Sequence, residues 1–426
     1  MSFDNLGLDR RLLQAVGKLG YAEPTPIQRE TIPLALAGRD IIGCAQTGTG
    51  KTAAFMLPTL QRIPARPGAI RALVITPTRE LAGQIETFTK EIGKTTNHRC
   101  AVVYGGVGYE PQRKALRRGV DVLVACPGRL LDLVNAGHCD LRHVEVLVLD
   151  EADRMLDMGF WPDVKRILSN LPEKRQNLLF SATMSPEVLK VIGSTLTNPA
   201  QISVSPTATP IDKITQSIYP VGGQDKTDLL LHLIDKHRLT RVLVFTRTKH
   251  RADRVAKQLD RAGVRGAAIH GNRSQAQREK ALDSFRRGHV KVLVATDVVS
   301  RGIDIDDITH VVNFDLPGTP EDYVHRIGRT ARAGRSGSAF SMMSPEEHTN
   351  LRDIERKIGA TIACEDAEGF TYKDKRMVPD PDREANPAPV QRPPAGSGRK
   401  GRPGGSARRN RRTGGTTGSG VNRNAS

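Results

Sequence analysis

With 426 residues, 38% of them hydrophobic, the chain has room for two or three ordinary domains and enough apolar material to build their cores. No charged-then-apolar leader opens it and no apolar run is long enough for a bilayer, so membrane insertion is not expected and a cytoplasmic location is. A formal charge of +18 calls for a polyanionic partner; without a basic amphipathic helix or a lipidation signal, that partner is expected to be nucleic acid rather than an anionic membrane face.

In chain order, Leu6, Leu8, Leu12, Leu13, Val16 and Leu19 are spaced for a short helix over 3–18. Residues 20–28 interrupt it. There Pro24 and Pro26 fix the backbone, and the Gln28 amide offers a paired donor and acceptor, the chemistry that reads an adenine edge. Next, Ala45, Gln46, Thr47, Gly48, Thr49, Gly50, Lys51 and Thr52 lie between the apolar Ile41-Ile42 and a helix-like run, which is the place of a phosphate loop. The two glycines let N–H groups curl around phosphates, Lys51 reaches them, and the Thr52 hydroxyl suits magnesium, although Ala45 stands where the general signature has glycine. Further strands are expected over 71–76, 101–104, 121–125, 144–149 and 177–180, separated by helical stretches, so the first domain reads as α/β with a parallel sheet.

The run over 144–149 ends on Asp150, Glu151, Ala152 and Asp153. Acids at a strand's carboxyl end sit beside a phosphate loop, so Asp150 suits the magnesium shell and Glu151 the attacking water. The other strand ends carry Pro77-Thr78-Arg79-Glu80, Gly105-Gly106, Pro127-Gly128-Arg129 and Ser181-Ala182-Thr183, and strand ends of this kind line a ligand crevice. Around 203–223 the composition turns to Ser, Thr, Pro and Gly, as in a linker. A second βα series follows over 241–343 without a phosphate loop, so it is expected to complete the first domain's site. Its contribution is sought in 325–332, where Arg326, Arg329 and Arg332 recur every third residue on adjacent faces of one helix, as a solvated face or as arginine fingers on a γ-phosphate.

From 366 onward the hydrophobic pattern is lost. Between Asp380 and the end, ten basic residues face three acids, which places +7 of the charge in a Gly-, Pro- and Ser-rich tail expected to be disordered. The five cysteines, Cys44, Cys100, Cys126, Cys139 and Cys364, form no metal spacing and read as reduced thiols.

These residues, in this order, resemble the DEAD-box ATP-dependent RNA helicases of superfamily 2 over 3–344. The resemblance implies two tandem RecA-like α/β domains with parallel sheets, at 1–205 and 224–365, joined by a linker at 206–223 and followed by a disordered basic tail at 366–426. It implies ATP and Mg2+ as cofactors, with Phe3, Gln28, the loop 45–52 and Asp304 on the nucleotide, Thr52 and Asp150 on magnesium, and Lys51, Asp150, Glu151, Arg329 and Arg332 in catalysis. By the same resemblance, Pro77, Thr78, Arg79, Gly106, Pro127, Gly128, Arg129, Thr246, Arg247, Gln275, Arg278 and Thr296 hold RNA, and Asp153, Ser181, Thr183, His325 and Arg326 couple the two ligands. Two positions depart from the pattern: Cys126 replaces a threonine and Ala331 a glycine. The compact core and basic tail are most similar to the bacterial RhlE-like subgroup. The expected function is local, sequence-nonspecific unwinding of short RNA duplexes or remodelling of RNA–protein complexes, with ribosomal particles or RNA-decay proteins as partner classes. Two alternatives stay open: a DNA-directed helicase, and an RNA clamp or annealing chaperone timed by ATP.

Overall fold

Short, almost wholly apolar runs become the strands, because a strand covered by helices on both faces has no polar side to present. The computed structural model describes residues 2–383 except 46, 47, 67, 185–187, 191, 192, 205–212, 298–307, 332–335 and 382. The first domain holds β1 (Ile41–Cys44), β2 (Ala72–Ile75), β3 (Cys100–Val103), β4 (Val122–Ala125), β5 (Val146–Leu149), β6 (Gln176–Ser181) and β7 (Ala200–Ser203). They form one parallel seven-stranded sheet in the order β3-β4-β2-β5-β6-β1-β7. Leu73, Val74, Leu123, Val124, Leu147 and Val148 in its centre are fully buried.

The second domain holds β8 (Ile214–Pro220), β9 (Val242–Phe245), β10 (Gly266–Ile269), β11 (Val292–Ala295), β12 (His310–Asn313), β13 (Gly337–Met343) and β14 (Ala363–Cys364). Its order is β10-β11-β9-β12-β13-β8-β14, again all parallel, which repeats the first sheet's order strand for strand. These are the two RecA-like domains the sequence led us to expect. Helices α1 (Arg10–Lys18), α2 (Pro26–Leu36), α3 (Lys51–Arg62), α4 (Arg79–Thr96), α5 (Tyr109–Arg117), α6 (Pro127–Asn135), α7 (Ala152–Asp157) and α8 (Trp161–Leu168) serve the first domain. Helices α9 (Lys226–Lys236), α10 (Lys249–Arg261), α11 (Gln275–Arg286), α12 (Pro320–Ile327) and α13 (His348–Ile358) serve the second.

Four local expectations change. The helix expected over 3–18 is two pieces, a 3-10 turn at Phe3–Leu6 and α1, because Gly7 takes φ 79 and Asp9 caps the new start by accepting from the Leu12 N–H. The linker expected to reach 223 ends earlier, since Ile214–Pro220 is a full strand between β13 and β14; residues 205–212 lie outside the described ones. The arginine run expected as one helix ends at Ile327, where the Gly328 N–H closes on the Val324 carbonyl.

The fourth change is at the far end. Instead of losing structure at 366, the chain runs on as a strap across the second domain. Ala367 is buried, Phe370 and Tyr372 pack edge to face at 4.9 Å, and His232 lies 5.5 Å from Phe370. Asp225 accepts the N–H groups of Lys373 and Asp374, Asp374 accepts that of Gln224, and Arg383 pairs with Glu355 at 2.7 Å. Apolar residues are too sparse here for the strap to fold alone, but it borrows the core of α9. Residues 384–426, most of the expected tail, lie outside the described residues. Ending the chain at Asp366 should therefore cost on the order of 3 kcal/mol of second-domain stability, whereas ending it at Arg383 should cost none. Calorimetric melting of the two truncations checks this.

Candidate active site

The sheet order brings the expected nucleotide loops together. β5, β6 and β1 are neighbours, so the acids after β5, Ser181 to Thr183 at the end of β6 and the phosphate loop after β1 emerge side by side. In that loop Gly48 and Gly50 take φ 85 and 89, values that favour glycine. Lys51 opens α3, is buried, and donates from Nζ to the Ala45 carbonyl at 2.7 Å. Gln28 is buried too: its Oε1 accepts from the Thr25 N–H at 2.9 Å and its Nε2 donates to the Gly50 carbonyl at 3.1 Å. The amide expected to read adenine is thus bonded to the loop expected to hold phosphates. Thr49 and Thr52 are partly exposed, while Gln46, Thr47 and Asp304 lie outside the described residues. Phe3 is buried in the core beneath Tyr21, ring centroids 6.4 Å apart, and it is Tyr21, 41% exposed, that presents an aromatic face. The sequence placed Tyr21 in this motif but gave it no role.

Asp150 is buried, and burial pushes its carboxyl up to about 6, with Lys51 pulling it down and Glu151 raising it. Glu151 sits at φ 54, its N–H donating to Asp150 Oδ1 at 3.0 Å. Its carboxylate is paired with Arg154 at 3.1 Å, a partner that sequence reasoning missed although the spacing of three was there to read. Asp153 joins the acids to the end of β6: Oδ2 accepts from both the Thr183 N–H and hydroxyl at 2.9 Å, and the Asp153 N–H donates to Ser181 Oγ at 3.2 Å. Three of the five residues expected to couple the ligands, Asp153, Ser181 and Thr183, therefore meet, while Arg326 pairs instead with Asp297.

On the other half of the same sheet, β3, β4 and β2 are neighbours, which gathers the expected nucleic-acid loops. The Arg79 guanidinium lies on Gly106, where a Cβ would collide with it. Arg129 donates to the Val107 carbonyl at 3.3 Å and stacks 5.4 Å from the Tyr109 ring centroid, beside the exposed Gly128. The first turns of α4 and α6 emerge here, that of α6 without a side-chain cap, where N–H groups suit an anion. Pro77 and Pro127 are buried, and the Thr78 hydroxyl caps α4. Cys126 stands at the N-cap of α6 without making a side-chain cap bond, its thiol pushed up to about 12 by burial and by Glu80.

In the second domain Thr246 is fully buried, its hydroxyl donating to the Thr248 carbonyl, and Thr296 is buried. Arg247 reaches the surface while pairing with Glu347 at 2.8 Å. Gln275 is buried against Glu279, and Arg278 forms a buried ion pair with Glu80 of the first domain. Arg326 is an internal brace, gripping Asp297 at 2.6 and 2.7 Å and the Asp315 carbonyl at 2.7 Å, over the Phe245 ring. His325 is half-buried, Arg329 is buried just past α12, and Arg332 lies outside the described residues. Ala331 takes φ 56, a conformation in which glycine carries no penalty, which gives a physical reason for the glycine it replaces.

Residues 25–191 match the family described as DEAD/DEAH box helicase, and residues 225–334 match the helicase conserved C-terminal domain. The chain is 44% identical over 355 residues to the DEAD-box ATP-dependent RNA helicase CshA of Geobacillus kaustophilus, covering 83% of this chain and 76% of that one. It resembles the solved structure of S. cerevisiae Dbp5 bound to RNA and ADP BeF3 with a TM-score of 0.78 and 33% identity, over 86% of this chain and 96% of that one. A structure of Mss116p bound to ssRNA and AMP-PNP matches with a TM-score of 0.76 and 27% identity, over 85% and 79% of the respective chains. With both halves matched in order, the chain belongs to the DEAD-box helicase family.

Proposed function

We infer that the chain is an ATP-dependent RNA helicase whose RNA-stimulated hydrolysis of ATP drives the binding and release of RNA held by its backbone. The observation that carries this reading is the Asp153 clamp on Ser181 and Thr183, which ties the acids after β5 to the end of β6, next to the phosphate loop after β1. Lys51 binds the β and γ phosphates, Gln28 the adenine with Tyr21 as the aromatic surface beside it, and Glu151 orients the attacking water. Asp150 and Thr52 suit Mg2+, since a carboxylate whose charge burial opposes gains most from a divalent cation beside it. When bound, the ion neutralises phosphate charge. Arg329 supplies the finger from the second domain, with Arg332 as its partner.

On the RNA side, Arg79, Gly128, Arg129 and Arg247 reach solvent and face phosphates, while Thr78, Thr246, Thr296, Gln275 and Arg278 hold the loops in place. Recognition is then of phosphates and 2′-hydroxyls on single strands and short duplexes, without base sequence. Residues 384–426 carry nine basic residues against one acid and act as a nonspecific RNA tether. That tail and the compact core support the RhlE-like placement, whereas the curated relatives at 43–45% identity carry the CshA name. Action in the cytoplasm on ribosomal particles or with RNA-decay proteins fits the same reading.

Three results are expected. Lys51→Ala should lose nucleotide binding, while Glu151→Gln should still bind ATP and RNA yet hydrolyse slowly; wild-type turnover by Glu151→Gln overturns its role. Arg329→Ala should cut RNA-stimulated turnover by about 10³ or more, the scale of fingers in better-studied GTPases, and a loss below about threefold demotes it to packing. Removing 384–426 should weaken RNA binding at low salt and flatten the slope of log K against log salt equally for two RNAs of unrelated sequence. Identical slopes with and without the tail would sink the tether.

A further inference from the structure

We propose that Arg154 is the positioning residue of Glu151: it pins one carboxylate oxygen so that the other faces the attacking water. This rests on the reading of Glu151 given above. Arg154 is the third residue of α7, and its Nη1 donates to Glu151 Oε2 at 3.1 Å, with the two side chains 7% and 9% exposed. The Glu151 backbone is held in the left-handed region at φ 54 with its N–H on Asp150 Oδ1, so the direction in which its side chain leaves the chain is already fixed. What the backbone leaves loose are the side chain's own torsions, and the pairing with the guanidinium restrains them.

The neighbouring acids have other work. Asp153 is engaged with Thr183 and Ser181, Asp150 lies beside Lys51, and Glu151 is the acid of this motif that Arg154 pairs with. Packing of α7 does not need a buried guanidinium, because Ala152 and Met155 supply its apolar contacts. A buried ion pair contributes little net stability compared with apolar side chains of the same volume. Its value here is chemical. In hydrolysis the water oxygen bonds to the γ-phosphorus as the bond to the β–γ bridging oxygen breaks and ADP departs with that electron pair. The water's proton moves toward Glu151 Oε1, the oxygen that Arg154 leaves open, and a carboxylate free to rotate spends less time aligned for that transfer.

The test uses full-length protein with Arg154→Gln, Arg154→Lys, Glu151→Gln and the Arg154→Gln/Glu151→Gln double variant. It measures RNA-stimulated turnover, affinity for a non-hydrolysable ATP analogue with Mg2+, and thermal melting. Arg154→Gln should lower kcat about tenfold with analogue affinity within about twofold, and Arg154→Lys should regain part of the loss. In the Glu151→Gln background the Arg154 substitution should change turnover by less than about twofold, because a residue acting through another has nothing left to position. If Arg154→Gln melts too low to assay, Arg154→Lys alone and with Glu151→Gln gives the same comparison with the charge retained. Losses that multiply in the double variant, a fall in analogue affinity matching the fall in turnover, or unchanged turnover in Arg154→Gln would each overturn the proposal. Wild-type turnover in Glu151→Gln overturns instead the assignment on which it rests.

Discussion

Parallel pairing is the constraint on which the rest of the molecule depends, because it delivers the carboxyl end of every strand to one edge of the sheet. In the first domain the order β3-β4-β2-β5-β6-β1 then divides that edge in two. Loops after β3, β4 and β2 form one half, rich in glycine, arginine and helix N-termini, and loops after β5, β6 and β1 form the other, which holds the phosphate-loop sequence and the acids. The halves meet between β2 and β5, whose residues pair from Ala72 with Val146 to Ile75 with Leu149. Asp153, bonded to Ser181 and Thr183, fastens the loop after β5, the strand that adjoins β2, to the end of β6.

The second domain makes the same sheet and puts its counterpart loop to different use. Lys226 opens α9 as Lys51 opens α3, and the loop before it contains Gly222 and Gly223. Yet Lys226 is buried and fully spoken for: it donates to the Phe314 carbonyl at 2.7 Å and pairs with Glu347 at 2.9 Å and Asp315 at 3.4 Å. The Asp374 carboxylate of the strap lies against Gly222, where a Cβ would overlap it, and accepts the Gln224 N–H. The chain's own acids thus surround the lysine and glycine of this counterpart loop. The copy's lysine is satisfied internally by acids, so the repeat in strand order is not a repeat of the first loop's chemistry.

How much of this was legible in the sequence follows from how local each signal is. The phosphate loop, the acids after β5 and the apolar strands announce themselves because glycine spacing and uninterrupted hydrophobicity are properties of a few adjacent residues. β8 was hidden because it carries Thr215, Gln216 and Ser217 in a sheet interior; the Ser217 and Tyr219 hydroxyls are satisfied by Glu365, 148 and 146 residues away. The strap was hidden for the same reason, since Phe370 and Tyr372 look too few to fold until α9 is placed under them. Phe3 could not be told from Tyr21 by composition; which aromatic is covered depends on how α1 and α4 pack. Residues such as Thr78 and Thr246 match a motif letter by letter, but whether a hydroxyl faces a ligand or caps its own backbone is decided only in three dimensions.

One described contact between the domains is charged rather than apolar. At its centre is the buried Glu80–Arg278 pair, with Cys126 close by and Tyr104 pushed up by burial and by the charges of Glu279, Glu86 and Glu80. Burial costs both ions their hydration, so an ion pair of this kind fixes register strongly while adding little to the free energy of closing. An apolar seam of the same area would hold the domains together whether or not anything was bound. A polar one leaves the balance close, and a close balance is what a ligand can tip. A ligand shifts an equilibrium only by the difference in its affinity for the two states. A nucleotide and an RNA that each contact both domains would favour the closed arrangement independently, and by reciprocity each would then tighten the other. Under the proposed function, hydrolysis would remove one of the two contributions and so shift the balance away from the closed arrangement.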